Sequence, residues 1–398
     1  MAINSINFAQ NFTGELDKLL VSEAKTGFMT DNAFRAKFVG AHTVLIPDIS
    51  FQGLGDYDRD TGFITGTTTV SNTAYTLKQD RARSFQIDRE DMDETGVANL
   101  AGQVLGEFVR TRVVPECDAY VLSKLCGLAN SRGQLLTDGD TSKPYASFNR
   151  LMALVQGECG YDSELVCFVS PAVWNSFLGS EEISRQITVS EFRQGQVQMQ
   201  VSSINGVTII PVPASRMQSA YQFLSGGAGA EEGGFAVAEG AKGICMLMLP
   251  KSAASLVRKS EKMRIFSPDK NPKADAYQFD YRLYYDVFVK TSYASGVWAW
   301  MAPEVTVETD LDEGISMQTG DPVTLSVTAT VSDGSTPEYQ WYSCKDSTGK
   351  GALRIAGENG PSMQVGEDLP AGTYYYFVRI TGGGSTVRDS AIAAVTVA

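Results

Sequence analysis

The chain has 398 residues, 43% of them hydrophobic, which is enough for two or three domains with sizeable cores. Its formal charge of −13 excludes a polybasic nucleic-acid binder, and no apolar run approaches the ~18 residues that a membrane span needs. His42 is the one histidine, and the six cysteines (117, 126, 159, 167, 245 and 344) contain no Cys-x-x-Cys pair. His-pair metal motifs are therefore excluded, and free, mostly buried thiols are expected rather than a disulfide frame or a zinc site.

Residues 1–40 read as an arm. Phe8, Phe12, Leu16, Leu19 and Leu20 suit one short amphipathic helix, and Ala33 to Val39 resumes apolar spacing. The start lacks the charged-then-apolar layout of a signal peptide, so synthesis in a cytoplasm is the default. Such an arm packs on something else, either the core of its own chain or a neighbour. His42 opens a strand pattern and reads as a strand residue rather than a catalytic base.

Residues 41–88 read as one long β-hairpin. VLIPDISF is one arm, and the Gly/Asp-dense GLGDYDRDTGFITG is the tip. A return rich in Thr, Tyr, Val and Phe runs to Asp88. A two-stranded ribbon of this length is unstable in water unless another surface covers it, so a neighbour is expected. Phe85 and Ile87, alternating with Ser84, Gln86 and Asp88, have the period of a half-buried strand.

A long helix follows. Thr95 is an N-cap candidate, and the acidic residues before it suit the helix dipole. Val97, Leu100, Ala101, Val104, Leu105, Phe108 and Val109 fall on one helical face, with Glu107, Arg110 and Arg112 off it. Pro115 has no amide for the carbonyl of Thr111, so a kink is expected before the helix continues through Glu116 to Leu125. About 30 helical residues would span roughly 45 Å. Two readings stay open: the rod of an elongated protein, or a kinked core helix of an ordinary α+β domain.

Residues 147–250 alternate helix and strand and read as a compact α/β lobe. SFNRLMALVQGECG is an amphipathic helix and ELVCFVSP a buried strand. PAVWNSFLGS is a helix with proline at N1. Residues 181–201 are polar and unassigned. INGVTIIPVP is a hairpin corner and strand turning at Asn205–Gly206. SGGAGAEEGG is a surface loop, and FAVAEGAKGICMLMLP supplies two more buried strands. Residues 251–273 hold seven Lys or Arg against Glu261 and Asp269, the one basic stretch. It suits a phosphate, an acidic surface such as Asp56, Asp58 and Asp60 of a neighbouring copy, or a plain solvated helix face. AYQFDYRLYYDVFVKTSYASGVWAWM then reads as two long aromatic strands packed against the helix.

From Pro303 the composition changes to short strands with turns between them, a β-sandwich pattern over roughly 100 residues. Trp341 sits where immunoglobulin-like domains keep a buried Trp. Val327 and Tyr376 or Phe377 would fill the space of the absent cysteine pair, and Cys344 has no partner in the domain. Residues 303–398 carry five Lys or Arg against thirteen Asp or Glu, a balance of −8, and the rest of the chain is only −5. Such a surface repels phosphate and belongs outside any nucleic-acid container.

The order of short arm, Gly/Asp-tipped hairpin, RxRSFQIDREDMDET, a long helix with VVPECDAY, an α/β lobe and aromatic strands over residues 1–302 resembles the major capsid proteins of tailed double-stranded DNA bacteriophages. These have the Hong Kong 97 phage-type fold. The resemblance implies an α+β chain plus an all-β immunoglobulin-like sandwich. Its parts are an N-terminal arm (1–40), an extended loop (41–88, centred on 46–77) and a spine helix near 93–128 with a peripheral domain (89–146). An axial domain (147–250), further peripheral strands (251–302) and the immunoglobulin-like surface domain (303–398) complete it. It implies hexamers and pentamers closing into an icosahedral shell around the genome, non-specific DNA contact on the inner face, and a portal. The lack of a long charged leader implies a separate scaffolding protein. The outer sandwich would take a host-surface or glycan ligand. The place is a virion assembled in the host bacterial cytoplasm, with no membrane contact.

No enzyme motif is present: there is no GxSxG, GxxxxGK[ST] or HExxH. Asp91 and Asp93 are better read as helix-start residues than as an acid–base pair. No catalytic, cofactor-binding or metal-binding residue is assigned, and no cofactor is expected. Candidate inter-subunit contacts are Asp56, Asp58, Arg59 and Asp60 on the hairpin, Arg81 and Arg83 at its base, and Glu107, Arg110 and Glu116 on the spine. Trp341 and Tyr376 are the candidate sandwich core. The alternatives are another virion component, such as a tail-tube or fibre adhesin carrying the same sandwich, and an enzyme with a carbohydrate-binding sandwich appended. The first would be mostly β, and the second needs a pocket with convergent carboxylates.

Overall fold

The computed structural model describes residues 19–20, 23–30, 37–39, 43–60, 62–90, 105–137, 139–141, 143–179, 187–194, 197–227, 232–271, 274–332, 336–366, 369–382 and 386–398. His42, Asp91, Asp93, the N-cap candidate Thr95 and most of the expected arm lie outside them. The described residues are mostly β with one long helix, compatible with the α+β class.

The arm is not wholly separate from the core. Within residues 19–20 and 23–30, Leu20, Ala24, Phe28 and Met29 are buried, and Phe28 stacks on Phe168 at 6.1 Å.

The expected hairpin divides in two. Strand β1 (Lys37–Val39) pairs with the start of β2 (Thr43–Phe51), and β2 runs against β3 (Thr68–Thr76) in continuous register from Thr43↔Thr76 to Phe51↔Thr68. The return then leaves the ribbon at Leu77 and Lys78. Its second half, β4 (Gln79–Asp88), joins another sheet, so residues 41–88 are not one hairpin. Pro47 lies in β2 beyond the residues that pair with β1, opposite Asn72 of β3. At the ribbon root Val44 and Leu77 are buried with Val257, Tyr284 and Phe288.

The helix is continuous over residues 105–131, with a π-turn at Val109–Val113 leading into α1 (Val114–Ser131). The amide of Val114 bonds to the carbonyl of Val109, five residues back. This wide turn is the response to Pro115, in place of the simple kink expected. Helix α1 is buried on most sides, so over the described residues it is a core helix.

Helices α2 (Pro144–Cys159) and α3 (Pro171–Gly179) flank strand β5 (Leu165–Val169). Residues 181–201, unassigned from sequence, contain β6 (Ile187–Gln194) and most of β7 (Val197–Ile204). Asn205 and Gly206, both with positive φ (53° and 79°), turn the chain into β8 (Val207–Pro211). Strand β9 (Tyr221–Phe223) pairs with β10 (Phe235–Val237) alone, so β10 is a partly exposed strand rather than a buried one. Strand β11 (Ile244–Pro250) is buried throughout.

The basic stretch is a strand, β12 (Ala254–Phe266), not a helix face. It pairs with β13 (Ala276–Val289), and β13 pairs with β4. The second aromatic strand, β14 (Trp298–Met301), is four residues long and joins a different sheet.

The lobe sheet has the order β14-β11-β5-β8-β7-β6, so β14 completes it from outside residues 147–250. Its two faces explain the unbroken apolar runs. Val166, Phe168, Leu247 and Leu249 face the core shared with α1. Cys167, Val169, Met246 and Met248 face the core shared with α2 and α3. The sheet β12-β13-β4 also lies on α1, through Phe279, Tyr281, Leu283 and Tyr285. One helix therefore joins two sheets.

The described residues of 303–398 form a β-sandwich with ten strands among them: β15 (Val305–Thr309), β16 (Gly314–Met317), β17 (Val323–Ser326), β18 (Thr328–Val331), β19 (Glu338–Cys344), β20 (Leu353–Arg354), β21 (Ser362–Val365), β22 (Gly372–Gly382), β23 (Thr386–Asp389) and β24 (Ala393–Val397). The larger sheet runs β16-β24-β22-β19-β20, with β23 on β22. Trp341 is fully buried, and its indole Nε1 donates to the carbonyl of Gly360 at 2.9 Å. Val327 is in the same core, and Tyr376 packs against it. Phe377 lies on the opposite side of β22, stacked on Tyr342. With no disulfide in the domain, apolar packing carries the sandwich. Trp341→Ala is expected to cost about 3–5 kcal/mol, read as an earlier unfolding transition by far-UV circular dichroism.

Candidate functional site

The ribbon tip spans residues 52–67 and is almost wholly exposed. Asp58 shapes it. Its side chain accepts the Asp60 amide at 2.8 Å, its carbonyl accepts the Gly62 amide at 2.8 Å, and Gly62 supplies the left-handed φ of 81°. The Gln52 side chain accepts the Thr67 amide at 3.0 Å and closes the base. Asp56, Arg59 and Asp60 are exposed around this turn. Apolar side chains are exposed with them: Leu54, Tyr57, Phe63 and Ile64, with Phe63 at 90% of its free area. Tyr57 and Phe63 meet edge to face at 5.1 Å. Four large apolar groups clustered on a protruding tip mark an interaction surface. Sequence reading singled out the carboxylates and missed these four, although Leu54, Phe63 and Ile64 stand out among the Gly and Asp around them.

The remaining contact candidates are joined within one chain. Arg81 on β4 reaches Glu116 on α1 at 2.6 and 3.3 Å, and also donates to the carbonyls of Leu224 and Gly234 at 2.9 and 3.0 Å. It thus ties the strand, the helix and both ends of the glycine-rich loop. Arg83 lies against the same loop: a Cβ at Gly226 would stand 3.1 Å from its guanidinium, and Gly226 also has positive φ. Arg110 pairs with Glu107 at 3.3 Å and Glu23 at 3.2 Å, half-exposed contacts worth about 0–1 kcal/mol each. Arg81, Glu107, Arg110 and Glu116 thus have partners within their own chain.

Two buried carboxylates tie distant segments of the chain together around α1. Asp286 on β13 is fully buried, and accepts the Tyr120 hydroxyl at 2.8 Å, the Lys124 ammonium, and the Lys78 amide at 3.1 Å. Lys78 lies between β3 and β4, so Asp286 locks the ribbon root to α1. Asp118, also fully buried, accepts the amides of Lys25 and Thr26 at 3.1 and 3.0 Å and the Thr26 hydroxyl at 2.8 Å. Arg216 of the lobe donates to it at 3.0 Å. Burial pushes the Asp118 carboxyl up from its ordinary range, and the bonds from Lys25, Thr26 and Arg216 pull it back. Sequence reading passed over both residues. The available signal was an acidic residue inside an apolar run, in Cys117-Asp118-Ala119 and Tyr285-Asp286-Val287.

Between lobe and sandwich lies a cleft of about 470 Å³ lined in part by Ser170, Lys242, Glu304 and Arg388. Lys242 pairs with Glu304 at 2.7 Å and holds its carboxyl below the ordinary range. Burial pushes the Cys126 thiol up to about 11, and the thiols of Cys117 and Cys167 rise further. No group of three or more His, Cys, Asp and Glu that could hold a metal ion occurs among the described residues. No described helix is long and apolar enough to cross a membrane.

No known protein family matches the sequence, and no curated protein matches it. The solved structures similar to it include that of the bacteriophage PhiM1 mature capsid, at 13% identity over 66% of this chain and 82% of that chain, with a TM-score of 0.43. The satellite phage P4 procapsid including the size determination (Sid) protein matches at 10% identity over 73% and 90%, with a TM-score of 0.44. A structure of Mycobacterium phage Che8 matches at 14% identity over 65% and 84%, with a TM-score of 0.40. These structural neighbours come from phages, and two are named as capsids. Likenesses this distant do not bear on which residues of this chain make contacts.

Asp286→Ala is expected to cost about 3–5 kcal/mol, because it leaves the Lys124 charge and the Lys78 amide without their acceptor. Denaturant unfolding measures it. Glu107→Gln, at an exposed pair, should stay within about 0.5 kcal/mol of the parent.

Proposed function

We propose that the chain is a phage major capsid protein. In this reading it assembles as hexamers and pentamers into an icosahedral shell around double-stranded DNA. The observation that carries the reading is the ribbon: nine register pairs long, anchored at its root by a buried carboxylate, and ending in an exposed apolar and acidic tip. A lone ribbon with such a tip gains stability only against another surface. A second copy is the partner that a repeated shell supplies. Asp56, Asp58, Arg59 and Asp60 then lie near the contact, and Arg81, Arg83, Glu107, Arg110 and Glu116 are the further candidates for contacts between subunits.

A scaffolding protein and a portal are the expected partners in assembly, which takes place in the host cytoplasm. The inner face touches packaged DNA without sequence preference. The sandwich of residues 303–398, with Trp341 and Tyr376 as its core, is read as immunoglobulin-like. Its acidity supports a position on the outside of the shell, with a host-surface or glycan ligand as its partner. A tail-tube or fibre role accounts less well for a long helix packed between two sheets. The subunit acts through its surfaces rather than as an enzyme.

Deleting residues 52–66 should leave a folded subunit that forms no closed particles, as seen by electron microscopy and size exclusion; intact shells from that deletion would refute the ribbon's role. Ending the chain at Ala302 should leave shell assembly in place, and a loss of particles from that truncation would remove the surface-domain reading.

A further inference from the structure

Strand β22 breaks the pattern expected of a sheet with one face in water. Its run Tyr374-Tyr375-Tyr376-Phe377 puts aromatic rings on both faces. Tyr374, Tyr376, Val378 and Ile380 belong to the core side. Tyr375, Phe377 and Arg379 therefore face the other way. Tyr342 of β19 stands directly opposite Phe377, and the two rings stack with centroids 5.2 Å apart and planes 9° apart.

Polar groups fixed in place border these rings. The Arg379 guanidinium lies 5.2 Å from the centre of the Tyr342 ring, and Asp389 on the next strand accepts from it at 2.7 and 2.8 Å. On the other flank Arg354 is paired in register with Tyr342, and its Nε donates to the Gln340 side chain at 2.6 Å. Phe377 is buried, while Tyr342 and Tyr375 are half-buried and Arg354 is exposed.

We propose that this face of the sandwich binds a neutral saccharide. The proposal rests on the outward-facing sandwich described above and names the site and ligand class for it. A pyranose ring has an apolar C–H face and a rim of hydroxyls. The exposed parts of the Tyr342 and Tyr375 rings offer a surface for the former, and the guanidinium and carboxylate groups over and beside Tyr342 meet the latter. The Tyr342 ring and both arginines are already held, so little of their ordering is lost on binding. Charge selects the class: the domain balance of −8 repels phosphate and sulfate, and the Arg379 charge is spent on Asp389. A peptide adding a strand needs an open edge, whereas β19 lies between β20 and β22, and β22 between β19 and β24.

The test uses the full-length chain. Its binding to neutral gluco-, manno-, galacto- and N-acetylglucosamine oligosaccharides is measured by calorimetry and saturation-transfer NMR, with a sulfated oligosaccharide as the anionic probe. At least one neutral oligosaccharide should bind. Tyr342→Ala should weaken it about tenfold or more, Arg354→Ala several-fold, and Tyr342→Phe less than about twofold. Arg354 is exposed, so its variant keeps the test sound if Tyr342→Ala fails to fold. The proposal is overturned if the folded parent binds no neutral oligosaccharide at about 10 mM, if it prefers the sulfated probe, or if binding survives both alanine variants unchanged. Particles of the same variants are imaged in parallel. Shells without sugar binding would end this inference and leave the capsid reading standing, whereas a parent chain that never forms particles would end the capsid reading.

Discussion

The buried carboxylates of Asp118 and Asp286 constrain the arrangement of everything around α1. A carboxylate taken out of water costs several kcal/mol unless charges and donors meet it. For Asp118 these partners come from the N-terminal segment and the lobe, through Lys25, Thr26 and Arg216. For Asp286 they come from α1 and from the joint between ribbon and sheet, through Tyr120, Lys124 and Lys78. Neither site is satisfied until segments far apart in sequence have docked. The ribbon root cannot slide along the helix without stranding Asp286, so its direction is fixed by the core. The net worth of each cluster is modest, but the penalty for breaking one is large, and that asymmetry makes the arrangement specific.

The sandwich stands in contrast. It has its own apolar core around Trp341. A short joint after β14 connects it to the lobe, with the exposed Lys242–Glu304 pair beside it, and a pair of that kind is worth about 0–1 kcal/mol. The acidity of the chain is concentrated in this module, so charge and folding unit coincide.

Much of this was legible in the sequence wherever one local pattern had one solution. The alternation around Phe85, the proline-led α3, the Asn205–Gly206 turn and the position of Trp341 are of this kind. Reading failed where long-range pairing decided the outcome. Nothing local in Leu77-Lys78 says that the chain changes sheets there; that follows from β13 being available to β4. The basic residues of β12 fit a helix face as well as a strand until Arg264 is seen opposite Asp280. Arg81 and Glu116 looked like surface charges because their partnership crosses from strand to helix. Asp118 and Asp286 were hidden for the same reason, since a lone acidic residue in an apolar run does not name its partners.

The division between buried rod and exposed ribbon has a consequence for assembly. The described helix is mostly buried in its own chain, and in the proposed assembly the exposed ribbon tip is the surface offered to a neighbour. Within the tip the carboxylates are not equivalent, because Asp58 already shapes the turn. An exposed ion pair formed by Asp56 or Asp60 would add about 0–1 kcal/mol. Burying Leu54, Phe63 or Ile64 adds about 1.5–3 kcal/mol each. In an assembly of the kind proposed, the apolar residues therefore set how strongly a neighbour is held, and the charges set which approach is allowed. The Asp58 turn lies among these apolar groups, which stay exposed within the chain and, in the proposed assembly, are available to a second molecule.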